Sequence, residues 1–342
     1  MDIHLLDNNK YTLWQDYVIN HTNATLYHLA EWKSIVETSF GHRTFYVMVF
    51  DKGAVVGILP IVYIKSLIFG KILCSLPYLN FAGILADAPD IENFILEECY
   101  RILNKLGADY FELRHLRKMV LVDKTQEHKV SMTIELNNDP QVLWENFESK
   151  HRREIRRASK NNLEIRVGNT EFLGEFYEII SHGWRDLGTP IYSYSFFKNI
   201  LEKFNKSINI FLVYHKGRPI ATALNGLFRD TIEGMWTYSL RNYQSLHTNY
   251  FLYWEMIKTY SLQGYKYFHL GRSTKDTGSV FFKKKWNAVP KQLYWQYILP
   301  ENSAIPNLNV DNPKFKFYIN IWKNLPVKLT QIFGPPIAKN IP

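Results

Sequence analysis

Between residues 267 and 286 the chain reads YFHLGRSTKDTGSVFFKKKW, a strand-like run that breaks into a polar loop and returns to aromatics. The loop carries one guanidinium, Arg272, small hydroxyls at Ser273, Thr274 and Thr277, and a single carboxylate, Asp276. Three lysines, Lys283, Lys284 and Lys285, then run up to Trp286. At a strand exit, such a set suits an anionic, acylated substrate: a guanidinium grips a carboxylate or phosphate through paired N–H donors, and hydroxyls complete the contact. A loop whose lysines are merely solvated has the same composition.

A second basic cluster lies at 150–160, KHRREIRRASK. It contains no Pro or Gly and stops at two asparagines, so it reads as a helix. On that helix Arg152, Arg156 and Lys160 align, as do Arg153 and Arg157, while His151, Ile155 and Ala158 face the other way. Like charges stacked one turn apart weaken a helix, a cost that a bound phosphate would relieve; a solvated basic face is the competing reading. A third feature is Asn80, an amide inside the apolar run SLPYLNFAG. It either bonds its own turn or lines a cleft, because an unpaired buried amide costs about 1–3 kcal/mol.

The 342 residues are 46% hydrophobic and 21% charged, enough for about two ordinary globular domains. A net charge of +9 favours polyanionic partners: nucleic acid, nucleotide diphosphates or an anionic membrane surface. Cys74 and Cys99 have no metal-ligand spacing and are too few for a disulfide framework, which fits a reducing compartment. The first residues lack a basic segment followed by an apolar core, and the apolar region 58–85 is interrupted by Lys65, Lys71, Pro77 and Asn80. Neither a leader nor a spanning helix is expected; the protein is read as cytoplasmic, with room for peripheral contact at the inner membrane face. Eleven scattered histidines form no metal set, and no Walker loop, dinucleotide fingerprint or nucleophile elbow is present.

The elements that must position these groups come in two similar series. The first has a helix over 25–40, a hairpin pairing 45–50 with 55–64, a β-rich stretch over 72–85, a helix over 91–106 and a strand over 109–114. The second has a strand over 163–167, helices over 171–187 and 194–204, a hairpin pairing 208–214 with 219–224, a strand over 231–240, a helix over 247–262 and a strand over 267–270. VFDKGAVVG at the first hairpin matches VYHKGRPIA at the second, and GADYFEL after the first long helix matches GYKYFHL after the later one. An internally duplicated α+β unit follows. Domains are expected at 1–138 and 139–300, followed by a tail over 301–342 with a short amphipathic helix at 315–322 and an irregular end. The duplication also sets the 267–286 loop at a strand exit, where a cleft between similar units would favour a ligand.

Taken together, SFGH at 39–42, LPYLNFAG at 76–83, KHRREIRRA at 150–158, RDLGTP at 185–190, GRST at 271–274 and FKKKW at 282–286 resemble the FemAB-like peptidoglycan-bridge aminoacyltransferases. The resemblance is strongest to the subgroup associated with exosortase (PEP-CTERM) and exopolysaccharide systems. It implies two tandem GNAT-like (acyl-CoA N-acyltransferase fold) domains, mixed sheets flanked by helices, and transfer of an aminoacyl group from aminoacyl-tRNA to an amine of a cell-envelope precursor. The subgroup usually has glycine after the FKKKW tryptophan; this chain has Asn287, a residue that tolerates positive φ.

Catalytic roles are expected of three residues: Lys283, which matches the family's Phe-Lys position, Arg272, and Asp276 as the only carboxylate of the loop. Lys283 supplies positive charge to the ester carbonyl or an adjacent phosphate, Arg272 holds an anionic group, and Asp276 accepts the proton. Substrate contacts are expected from Tyr78, Asn80, Arg152, Arg156, Arg185, Trp236, Tyr238, Ser273 and Trp286. No metal and no tightly bound cofactor is expected, and no DNA. The partners are an envelope saccharide or peptide precursor, lipid-linked or free, and tRNA. Acyl-CoA is a weaker candidate donor, because the position of its pyrophosphate loop reads RNYQSLH from Arg241, without glycine. An acyl-CoA-dependent N-acyltransferase and a non-catalytic glycan- or partner-binding protein are the alternatives.

Overall fold

The computed structural model describes residues 1–67, 69–306 and 313–342. Its strands, in chain order, are β1 (Asp2–Leu5), β2 (Arg43–Asp51), β3 (Ala54–Ser66), β4 (Gly70–Cys74), β5 (Leu85–Ala86), β6 (Tyr110–His115) and β7 (Thr125–Gln126). They continue with β8 (Lys129–Glu135), β9 (Leu163–Gly168), β10 (Ile208–His215), β11 (Arg218–Phe228), β12 (Thr231–Ser239), β13 (Tyr267–Thr274), β14 (Val289–Gln292) and β15 (Tyr294–Ile298). One sheet runs β1-β2-β3-β4-β6-β15-β7, with β5 also on β3; the other, read from its far edge, runs β9-β10-β11-β12-β13-β8-β14.

The duplication expected from the sequence is present strand for strand. Each sheet contains an antiparallel hairpin, β2–β3 or β10–β11, closed by a two-residue turn. Lys52-Gly53 and Lys216-Gly217 all take positive φ, the conformation that matches a tight turn to the strand twist. Each then has a strand, a long helix (Pro89–Leu106 or Thr248–Leu262) and a return strand parallel to the first, β4 with β6 and β12 with β13.

Two strands do not stay with the chain segment that precedes them. After β7 in the first sheet the chain contributes β8 to the second; after β14 in the second it contributes β15 to the first. β8 alternates Val130, Met132 and Ile134 into the core of the second unit, and Ile298 of β15 enters the core of the first. The compact units are therefore not contiguous. The first takes Met1–Lys129, the segment beginning at Gln292 and the last residues Lys339–Pro342, and the second takes Val130–Lys291 and the two C-terminal helices. This differs from a division at 138 and 300, because an exchanged strand cannot be assigned by sequence order.

Two local differences have simple causes. The β-rich run expected over 72–85 is a strand to Cys74 and again only at Leu85; between them Leu76 (φ 50°) and Tyr78 (φ 76°) take left-handed conformations that no strand can hold. The tail forms a helix over Pro313–Lys323 and, in place of an irregular end, a second over Val327–Ala338. Pro335 and Pro336 fall in its last turn, where they lack the amide hydrogens that would bond the carbonyls of residues 331 and 332. The Asn-rich run at 307–312 lies outside the described residues.

Candidate active site in the second unit

In the second sheet β12 and β13 pair over three positions, Thr231↔Tyr267, Ile232↔Phe268 and Glu233↔His269, and no further, although both strands continue. Two features divide them. β12 is bulged against β11 beside Leu224/Asn225, and β13 carries Gly271 at φ 74° in mid-strand. Gly234 marks the tightest approach: a Cβ there would stand 2.8 Å from the His269 carbonyl oxygen. Beyond it burial relaxes. Ile232, Glu233 and Gly234 are buried, whereas Met235, Trp236, Thr237 and Tyr238 are half-buried in succession. The result is a split whose sides are the distal half of β12 and the GRST segment of β13.

Lys283 secures the second side. It lies on the short helix Gly278–Lys284, which packs back on β13, and is buried. Its Nζ donates to the carbonyl oxygens of Gly271 (3.1 Å) and Arg272 (3.4 Å) and to Ser273 Oγ (3.0 Å). An ammonium has three donors, so all are engaged by the bend that Gly271 makes. Burial pushes the amine down to about 8. Ser273, also buried, stands 3.0 Å from Ser279 Oγ at the start of the same helix. Arg272 is half-buried; Asp276 is exposed in the turn at φ 58° and makes no hydrogen bond among the described residues.

The first side is anchored by a carboxylate that the sequence reading passed over. Tyr238 Oη donates to Asp186 Oδ2 at 2.6 Å, Arg185 Nε meets Oδ1 at 2.8 Å, and Arg241 Nε lies 3.0 Å from Oδ2. Burial tends to raise the Asp186 carboxyl, but the tyrosine and the two guanidinium groups together hold it below the usual range. Burial and this hydrogen bond push the Tyr238 phenol up to about 12. Trp236 packs edge-on against Phe197, 5.2 Å between centroids, and so extends the aromatic wall of the helix Tyr194–Phe204.

At the point where pairing stops, Glu233 Oε1 and His269 Nδ1 are 2.8 Å apart, and Glu233 Oε2 is buried without a hydrogen-bond partner among the described residues. Burial alone would lower the imidazole; the buried carboxylate outweighs it and holds His269 above its ordinary value. The sequence signal was faint: one glutamate and one histidine in otherwise apolar strands, in register only through a parallel pairing of long separation.

The remaining expected residues are dispersed. Trp286 is fully buried in the second core, stacked on Tyr253 and edge-on to His151 at 4.2 Å; both ring nitrogens of His151 lack hydrogen-bond partners among the described residues. Asn287 takes φ 58°, so asparagine sustains the left-handed turn where glycine was expected. On the basic helix Ser149–Ser159, Arg156 lies over the Trp144 ring, 5.2 Å to the centroid, and Arg152 Nη1 donates to the Glu145 carbonyl oxygen.

Tyr78 and Asn80 belong to the first unit. Tyr78 donates to the Lys339 carbonyl oxygen (2.7 Å) and Asn80 to Tyr27 Oη (2.8 Å). The equivalent split in that unit is laced shut: the Ser75 amide bonds the Glu112 carbonyl oxygen, the Arg114 amide bonds Ser75 Oγ, and the Arg114 side chain is buried against Glu112 at 2.6 Å. Ser75, Leu76, Pro77, Tyr78 and Leu79 on that seam are buried, whereas Met235–Tyr238 of the second unit are half-buried, and the candidate site is assigned there.

The architecture is a tandem GNAT-like α+β fold. A family profile described as an acetyltransferase (GNAT) domain matches residues 146–284, the segment that builds the split. No curated protein matches the chain in sequence. Among solved structures it is similar to FemX, at 14% identity and a TM-score of 0.63, over 86% of this chain and 97% of that one. The L-PGS of Bacillus licheniformis follows at 13% identity and a TM-score of 0.56, with 94% and 99% covered. A tandem GNAT protein from the clavulanic acid biosynthesis pathway is similar at 9% and 0.56, with 89% and 99% covered. At these identities the likeness concerns the fold.

Proposed function

We propose that this protein is an N-acyltransferase that works at the β12–β13 split and moves an aminoacyl group from aminoacyl-tRNA to an amine of a cell-envelope precursor. The single observation that carries the reading is the unpaired seam flanked by Lys283, Arg272 and Tyr238, inside the segment that matches the acetyltransferase profile. FemX and L-PGS, which share the fold, are consistent with envelope chemistry.

In the reaction the acceptor nitrogen attacks the ester carbonyl carbon, the C–O bond to the tRNA ribose breaks, and the amine loses one proton while the ribose oxygen gains one. Negative charge gathers on the carbonyl oxygen in between. Lys283 places a positive charge beside the GRST backbone, and Arg272 offers a bidentate grip on an anionic part of the substrate. Asp276 is the proton acceptor proposed on the loop; the Glu233–His269 pair at the root of the split is a second group able to take it. The basic face of Ser149–Ser159 supplies a surface for phosphates.

The donor is argued from the turn before the helix Thr248–Leu262. Residues Arg241–Leu246 form a 3-10 helix in which the Tyr243 and His247 amides bond the Leu240 and Gln244 carbonyl oxygens. Those N–H groups are spent internally, which disfavours cradling a CoA pyrophosphate on them. The acetyltransferase description of the matched profile favours the second reading, an acyl-CoA donor. The test offers the purified protein charged tRNA or acetyl-CoA, each with an amine-bearing envelope precursor, and compares it with Lys283→Ala. Product from charged tRNA alone, reduced about a hundredfold or more in the variant, is expected. Product from acetyl-CoA alone replaces the donor, and equal rates in the variant remove Lys283 from the site. Tight precursor binding without turnover from either donor leaves a binding protein.

A further inference from the structure

The two C-terminal helices are apolar on the side that faces solvent. In Val327–Ala338 the residues turned inward are small: Thr330, Gly334 and Ala338 are buried, and a Cβ on Gly334 would stand 3.0 Å from the Ile191 amide nitrogen. Those turned outward are large. Leu329, Ile332, Phe333 and Ile337 are exposed, Ile332 by 63% and Phe333 by 54%. A helix covering a soluble core shows the reverse pattern.

The preceding helix, Pro313–Lys323, repeats the feature. Phe317, Tyr318 and Ile321 fall on one face and are exposed, the first two by 67% and 68%. Both helices pack against the same helix, Leu173–Leu187, so their outer faces are neighbours. The charge carried by the tail itself has one sign. From residue 313 to the end there are five lysines and no Asp or Glu, and Lys316, Lys323 and Lys328 are exposed. Glu178, which accepts from Gln331 at 3.4 Å, is an acid on the flank.

We infer that this face docks on an anionic lipid bilayer, with the aromatic and aliphatic side chains entering the headgroup region and the lysines meeting lipid phosphates. Charge selects the occupant. A second copy seated face to face would oppose the same lysines without a carboxylate from either tail, whereas an anionic bilayer neutralises them and accepts the apolar side chains. No helix among the described residues is long and apolar enough to cross a membrane, so the helices lie on the surface. The inference is independent of the reaction at the β12–β13 split.

The test is co-sedimentation of the full chain with vesicles of phosphatidylcholine alone and of phosphatidylcholine mixed with phosphatidylglycerol, at low and raised salt. Binding to the anionic vesicles about tenfold or more tighter than to the neutral ones, weakening with salt, is expected. A Phe317→Ser, Ile332→Ser, Phe333→Ser variant and a Lys316→Gln, Lys323→Gln, Lys328→Gln variant should each lose about tenfold or more. All six positions are exposed, and the second variant leaves the apolar surface intact should the first fold poorly. Failure of the wild type to bind anionic vesicles overturns the inference, as does undiminished binding by both variants. A concentration-dependent dimer abolished by the serine substitutions also overturns it, by assigning the face to a second copy.

Discussion

Lys283 Nζ and Ser273 Oγ lie 3.0 Å apart, both side chains buried, on the two elements that frame the bend at Gly271. The three hydrogen bonds of Lys283 go to neutral oxygens, so its charge is desolvated without an opposing carboxylate. The amine therefore titrates at about 8 in the folded protein against an ordinary value of 10.5. Below pH 8 both states are protonated and the cost of burying the charge is fully present. Above 10.5 both are neutral and the cost is gone. Between the two the unfolded chain binds more protons, so stability rises with pH, by roughly 3 kcal/mol across the window. Urea titrations from pH 7 to 10.5 should show this rise in the wild type and its absence in Lys283→Met; parallel curves would refute it.

His269 should produce the opposite slope. Its folded pKa is raised, because the Glu233 carboxylate outweighs burial, so the stability it confers is fully present below about 6.5 and is lost as pH rises through the folded value. Glu233→Gln removes the charge and keeps the shape. The imidazole should then titrate lower, by nuclear magnetic resonance, and the wild type's stability advantage over this variant should be larger at pH 6 than at pH 9. An unchanged His269 titration in Glu233→Gln would exclude the pair as an ionic unit.

Gly234 and Gly271 control the split by different means. A methyl on Gly234 would meet backbone, the His269 carbonyl oxygen at 2.8 Å, which cannot turn aside, and so would force β12 from β13. Gly271→Ala meets left-handed strain, about 1–2 kcal/mol, at the residue whose carbonyl Lys283 holds. Both variants should lower the denaturant midpoint. Gly271→Ala should also shift the Lys283 titration, since it moves an acceptor; an unperturbed lysine there would mean that the bend and the amine are uncoupled.

Local patterns carried most of the fold into the sequence. The paired motifs around Lys52-Gly53 and Lys216-Gly217 revealed the repeat because turn chemistry and alternation are written in adjacent residues. The exchanged strands β8 and β15 left no comparable mark: each alternates as any strand does, and the sheet it joins is a matter of long-range topology. The site divides the same way. Lys283, Arg272 and Ser273 were legible as a dense polar loop. Trp286, expected at the substrate, lies within the core, where an aromatic needs no ligand to explain it. Glu233 and Asp186 were passed over because isolated carboxylates gain meaning only from partners brought from elsewhere in the chain.

Asp186 shows how much such a partner set can carry. It joins Tyr238 on the half-buried part of β12 to Arg185 and Arg241, and their combined pull holds its carboxyl below the ordinary 3.8. Its contribution is therefore present above about pH 4 and is lost as pH falls through the folded value. Asp186→Asn keeps an acceptor oxygen but removes the charge, and should destabilise by about 1–3 kcal/mol at pH 7. The deficit should shrink as pH falls through the folded value, where the wild-type carboxylate itself becomes protonated. Tyr238→Phe removes one donor and leaves both guanidinium contacts, so it should cost about 1–2 kcal/mol at most. If Asp186 serves to hold the phenol in the split, both variants should raise KM for the acylated donor more than they lower kcat. A loss confined to stability, with both kinetic constants unchanged, would make the network purely structural.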